Sequence, residues 1–101
     1  MINFVKPIAF EWDKGNIDKN VIKHNITNKE SEEVFFTDTK IFYEAKHSIN
    51  EKRYLLLGKT NAGRALSVVF TMRENKVRII SVRDMNKKER IHYEEQIKTN
   101  S

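Results

Sequence analysis

The spacing of apolar residues along the chain changes near Lys40. Before that point, Phe10 and Trp12 stand two residues apart, as on a short strand. Ile17, Val21 and His24 then share one helical face, which predicts a helix over residues 16–24 with Asn25 as its terminator. Thr27-Asn28-Lys29-Glu30 has the form of a capping box, a hydroxyl and a carboxylate that can each bond the other's backbone. It opens a second helix that would bury Val34 and Phe35 and end near Phe36. From Lys40 the apolar residues gather into short runs rich in β-branched, leucine and aromatic side chains, over 41–44, 53–57, 65–70 and 77–82. Thr60-Asn61-Ala62-Gly63 and Glu74-Asn75 lie between the later runs with turn chemistry, so the last three read as a meander of hairpins. A third helix begins at Asn86, a good N-cap with Glu89 three residues on, and passes through Arg90, Tyr93 and Ile97 with little apolar surface. The order predicts one α+β domain over residues 1–101. Two N-terminal helices pack on one face of a four-stranded antiparallel sheet, and a helix closes the chain.

Composition narrows the classes. With 39% apolar residues the chain can build a modest core, while a third of it is charged and must cover the surface. It has no cysteine, hence no disulfide, thiolate metal site or cysteine nucleophile. No stretch approaches the ~20 apolar residues of a membrane span, and the N-terminus lacks the apolar run of a signal peptide. A cytoplasmic protein without membrane contact is the expectation. The net charge of +5 and pI near 9.5 favour a polyanionic partner. No phosphate-binding glycine loop, HExxH or G-x-S-x-G occurs, and His24, His47 and His92 lack metal-ligand spacing. No cofactor or metal is expected.

The chemistry that remains is basic. Arg53, Arg64, Arg73, Arg78 and Arg83 all belong to the predicted sheet or its ends. Any one of them is most simply a solvent-facing residue of a half-exposed sheet. Five together point to an anionic ligand lying across it, since the guanidinium fork matches a phosphodiester and never loses its charge. Metal-free RNA cleavage needs a group to take the 2′-hydroxyl proton, donors for the charge building on phosphate, and an acid for the leaving oxygen. The segment His47-Ser48-Ile49-Asn50-Glu51-Lys52-Arg53 offers an imidazole, a carboxylate and two cations. From the residues alone, His47 is more simply a loop histidine without a role, and Glu51 an ordinary surface carboxylate paired with Arg53 or Lys52. Arg64, in a turn, is expected to lie outside the site. A non-catalytic nucleic-acid-binding or partner-binding module satisfies the same charge pattern.

Several motifs together resemble the BrnT family of toxins. They are Phe10-Glu11-Trp12-Asp13, Asn20 with Lys23-His24, Glu32-Glu33-Val34-Phe35 with Asp38, and His47-Ser48 with Glu51 and Arg53. Gly58, Arg78-Ile79-Ile80-Ser81-Val82-Arg83 and Glu89-Arg90 with Tyr93 complete the series. Where the family usually has Gly and Ala, this chain has Asn25 and Val82; the second change adds volume next to Arg83. The resemblance implies a RelE-like fold, a metal-independent endoribonuclease that inhibits translation, and neutralisation by a BrnA-type antitoxin in a hetero-oligomer. It maps catalytic positions onto Arg53, Arg83, Glu51 and His47, and RNA contacts onto Lys23 and Arg73. Arg78, from its place on the sheet, joins the RNA contacts.

Overall fold

The structure, a computed structural model, describes residues 9–12, 24–44 and 51–99. Strand β1 (Ala9–Glu11) is followed by helix α1 (Asn28–Glu33) and a single 3-10 turn, Val34–Phe36. Strands β2 (Lys40–Tyr43), β3 (Tyr54–Lys59), β4 (Ala65–Arg73) and β5 (Lys76–Asp84) lead to helix α2 (Lys87–Thr99). They form one sheet in the order β1-β5-β4-β3-β2. Among the described residues no helix is long and apolar enough to cross a membrane.

The α+β class and the β3–β4–β5 meander match the sequence pattern. Two N-terminal helices with a four-stranded antiparallel sheet do not. The sheet has a fifth strand, β1, which runs parallel to β5 with Phe10 opposite Val77. Among the described residues one short helix, not two, precedes β2. Residues 13–23, where most of the other was expected, lie outside the described residues. The reason for β1 is packing. Pairing with β5 sets the Phe10 ring edge-on to Phe35 at 5.3 Å and to Phe36 at 6.2 Å, an arrangement aromatic pairs favour.

Two apolar layers enclose the sheet. On one face Ile26, Val34 and Phe35 cover Leu56, Leu66, Val68, Phe70, Val77, Ile79 and Val82. Phe70 is fully buried there, a contribution of roughly 1.5–3 kcal/mol. On the other face α2 lays Tyr93 and Ile97 over Leu57, Ala65 and Met85. Both helices begin as their sequences predict. The Thr27 hydroxyl accepts from the Glu30 amide at 3.1 Å while the Thr27 amide donates to Glu30 Oε1 at 3.0 Å. At α2, Asn86 Oδ1 accepts from the Glu89 amide at 2.8 Å and the Asn86 amide donates to Glu89 Oε1 at 3.0 Å.

Three of the sequence motifs singled out above are tethers between layers. Trp12 Nε1 donates to Glu32 Oε2 at 2.8 Å, fixing β1 to α1. The Tyr93 hydroxyl, whose proton burial and nearby Asp38 hold more tightly than usual, donates to the Asp38 carbonyl at 2.6 Å. A Cβ on Gly58 would lie 3.1 Å from the Val34 carbonyl oxygen, so the 3-10 turn can cross β3 this closely only over glycine. Val82 is buried in the α1-side core, on the opposite face from Arg83, so its extra volume is taken up by that core. Asn25 has φ 55°, the left-handed conformation that a glycine would supply.

Two backbone features set the geometry of β4 and β5. Their hairpin turns through Glu74 and Asn75, both at positive φ (52° and 65°), as a two-residue I′ turn requires. Glu74 is strained there, because its Cβ crowds the carbonyl oxygen. Glu74→Gly is expected to raise stability by about 0.5–1 kcal/mol, or ~2–8 °C in melting temperature. A melt that is unchanged or lower would show the turn to be unstrained. The second feature is a bulge. Val69 pairs with Ser81 and Phe70 with Ile79, so Ile80 is an extra residue in β5.

Candidate nucleic-acid interface

Side chains alternate across a strand, and the register therefore sorts every residue onto one face. The face carrying α2 holds Leu55, Leu57 and Ser67, the last donating to Glu89 of α2 at 3.4 Å. Its middle row runs Phe42, Leu55, Val69, Ser81 across β2 to β5. The row on the α2 side is Lys40, Leu57, Ser67, Arg83. On the other side Thr71 pairs with Arg78. Arg53 extends that row, because its carbonyl accepts from the Glu44 amide at 2.8 Å, one step beyond the last β2–β3 pair. Beyond it Arg73 stands opposite Lys76.

Arg53, Arg73, Arg78 and Arg83 thus border one face, and α2 covers only one end of it. The bulge makes this possible. Arg78 and Arg83 are five positions apart, a spacing that in a regular strand would put them on opposite faces. Ile80 restores the phase.

Arg83 is held by a fork. Its Nη1 donates to Glu89 Oε1 at 2.7 Å and its Nη2 to Glu89 Oε2 at 2.9 Å. The Arg83 side chain remains 46% exposed while that of Glu89 is 16% exposed. Burial would raise the Glu89 carboxyl, but bonds from Arg83, the Asn86 amide and Ser67 outweigh it and hold the group below its ordinary value. Arg83 in turn is raised, chiefly by its bond to Glu89. Sequence reasoning had Glu89 as a cap and as part of the motif with Arg90 and Tyr93, without a partner on the sheet. Its second role depends on the β5–α2 corner that brings residues six apart together. Arg73 Nη2 lies 3.3 Å from Glu51 Oε2, both side chains partly exposed. Glu51 therefore pairs with Arg73, where the sequence suggested Arg53 or Lys52. His47 and Lys23 lie outside the described residues.

Arg64 belongs elsewhere. Its Nε and Nη2 donate to Asp84 at 2.7 and 3.1 Å, and its Nη1 and Nη2 donate to the carbonyls of Asn25 and His24 at 2.8 and 3.0 Å. It clamps the segment before α1 to the end of β5. The bond from Arg64 lowers the Asp84 carboxyl against the opposing effect of burial, with the nearby charges of Arg64, His24 and Arg90 adding to the lowering.

Asp84 and Glu89 therefore bind protons less readily in the folded chain than in the unfolded one. Acidification favours the state that takes up more protons, here the unfolded state. The stability these groups contribute is present above about pH 4, the ordinary carboxylate range, and is lost as pH falls through their lower folded values. A pH series of thermal melts is expected to fall steeply below about pH 4, and less steeply in Asp84→Asn. An identical acid profile for that variant would remove Asp84 from the account.

Phe42 is a further residue that sequence reasoning passed over. Its ring centroid lies 5.4 Å from that of His92 on α2, and it remains 36% exposed. The alternation of Ile41 toward the α1-side core with Phe42 away from it carried the signal.

No curated protein matches the chain. The model of one protein family does, over residues 12–89, and its description reads ribonuclease toxin, BrnT, of type II toxin-antitoxin system.

Proposed function

Given that this chain belongs to the BrnT family of ribonuclease toxins, and so to a type II toxin–antitoxin system with an antitoxin partner, we propose that it is a metal-independent, RelE-like endoribonuclease. One observation carries the reading: four arginines border a single sheet face that α2 covers only at one end. An RNA strand laid over that face meets hydrogen-bond donors for its phosphates on both sides of a largely apolar middle row.

In this mechanism the 2′-hydroxyl attacks the adjacent phosphate and the 5′-oxygen leaves, giving a 2′,3′-cyclic phosphate. Arg83 and Arg53 stabilise the charge that builds on the phosphoryl oxygens. Glu51 and His47 share the proton transfers, and Arg73, Arg78 and Lys23 hold the flanking phosphates. The Glu89 fork supports this assignment of Arg83. A long flexible side chain fixed on one edge meets its target with little further loss of freedom. Loss of messenger RNA then stops translation, and a BrnA-type antitoxin restores it by covering the same face.

Purified protein incubated with RNA in excess chelator is expected to yield fragments with cyclic phosphate ends. Its production in bacteria should arrest growth, and co-production of the antitoxin should relieve the arrest. Intact RNA and normal growth at high soluble expression would leave this copy a binding module without cleavage.

A further inference from the structure

Among the described residues β2 ends the sheet, and no strand lies beyond it. The Glu44 amide donates to the Arg53 carbonyl, which makes these two a hydrogen-bonded pair of the β2–β3 ladder. By alternation Phe42 and Lys40 also turn their backbone groups to β3, while Ile41 and Tyr43 turn theirs to the open edge. Side chains alternate too. Lys40, Phe42 and Glu44 take the α2 face. On the other face Ile41 packs on the α1-side core, and Tyr43 stands edge-on to Tyr54 at 6.0 Å. The Tyr43 residue is 54% exposed. An open edge of this kind is a template for another strand.

We propose that the strand it takes is β2 of a second copy of this chain, paired antiparallel with the dyad at Phe42. A two-fold interface sets residue i on j and j on i, and Lys40-Ile41-Phe42-Tyr43-Glu44 is complementary to itself in that sense. Centred on Phe42, Lys40 meets Glu44 of the partner subunit and Glu44 meets the partner's Lys40, opposite charges on one face. Ile41 and Tyr43 meet in the same reciprocal way on the other face. These are the residues whose backbone groups point outward, so each such pair exchanges both of its hydrogen bonds. The two Phe42 rings meet at the dyad. Other centres lose the match. A dyad at Ile41 sets Asp38 against Glu44 of the partner subunit, and one at Tyr43 sets the Phe42 ring against that carboxylate. The dyad stands perpendicular to the sheet, so both arginine faces lie on the same side, with the two α2 helices at opposite ends. The row Lys40, Leu57, Ser67, Arg83 of one copy runs on into the row of Arg53 and Arg78 in the other. Two basic faces become one surface, and the pairing holds whatever that surface binds.

Two short strands bury less than the roughly 1,200 Å2 of a standard interface, so the association is weak and depends on concentration. Sedimentation equilibrium of the full chain is expected to show a monomer–dimer equilibrium. Lys40→Glu and Glu44→Lys each turn both opposite-charge pairs into like-charge pairs, and each should weaken dimerisation about 5-fold or more. Mixing the two variants should restore it, because each then meets opposite charges on the other. Phe42→Cys gives a second measurement, since the chain has no cysteine of its own. Residues facing each other at a non-hydrogen-bonded position have Cα atoms about 4.5 Å apart, within disulfide range. Mild oxidation should therefore link the copies of that variant, and should fail to link those of Met72→Cys, an exposed position on β4. A chain that stays monomeric up to about 1 mM, or a dimer that neither charge change weakens, overturns the proposal. Weakening that mixing does not reverse overturns the register, and the proposal with it. If the chain alone is monomeric and Lys40→Glu weakens antitoxin binding, the edge belongs to the antitoxin and the proposal fails.

Discussion

Replacing Arg83 by alanine is expected to slow RNA cleavage by at least about a hundredfold while the protein still folds. Losing one well-placed donor to developing negative charge typically costs on the order of 3 kcal/mol. The fold survives because Glu89 keeps the Asn86 amide and Ser67 as partners. Arg83→Lys should rescue only in part. Lysine brings the charge but cannot make two parallel bonds to Glu89 and so cannot be aimed from one edge. Arg53→Ala should show a loss of similar size from the other side of the middle row, since a phosphate lying between the two rows draws on both. Excess chelator should not abolish wild-type activity. Rates would be measured with a short labelled RNA, and folding by melting temperature. Losses of only a few-fold at both arginines would mean that the basic face attracts RNA without acting on it.

Arg64→Ala is expected to have the opposite profile, with lowered stability and little change in activity per folded molecule. The side chain makes a bidentate pair with Asp84 and reaches two backbone carbonyls. Charged hydrogen bonds contribute about 1.5–3 kcal/mol each when well protected, and solvent screening discounts these because the side chain is 30% exposed. A net loss of about 2 kcal/mol is expected, or roughly 8–16 °C in melting temperature. Substitution at this arginine thus reports on the fold and is no measure of general charge. A variant that melted like the wild type would show the clamp to be idle.

The reasons some features were legible in the sequence and others were not are physical. The capping boxes at Thr27 and Asn86 were legible because they need only residues three apart. The β3–β4–β5 meander was legible because its turns carry Gly63 and Asn75, residues suited to positive φ. Strand β1 was visible as an aromatic pair, but its partner Val77 lies near the other end of the chain, and nothing local names it. Glu89 combines a local and a non-local role, and only the cap could be read. The arginines were read as a set, and alternation alone would have separated Arg78 from Arg83. The bulge at Ile80 decides that question, and no residue type announces it. Arg64 looked like its neighbours because charge does not reveal direction.

The same bulge makes the strand unequally forgiving of change in length. Losing one residue between Arg78 and Arg83 would bring them to an even spacing. Simple alternation would then carry both to the α2 side with no bulge at all. Gaining one would leave two residues of β5 unmatched between the Thr71 and Ser67 pairs, more than a single bulge absorbs, and would slip Arg83 out of register with Ser67. Over evolutionary time the interval between these two arginines should therefore be free to contract by one residue and barred from growing by one. A family alignment rich in single insertions there would contradict it. In a chain whose other strands keep plain alternation, β5 holds a reserve of one residue, spent on bringing two cations to the same surface.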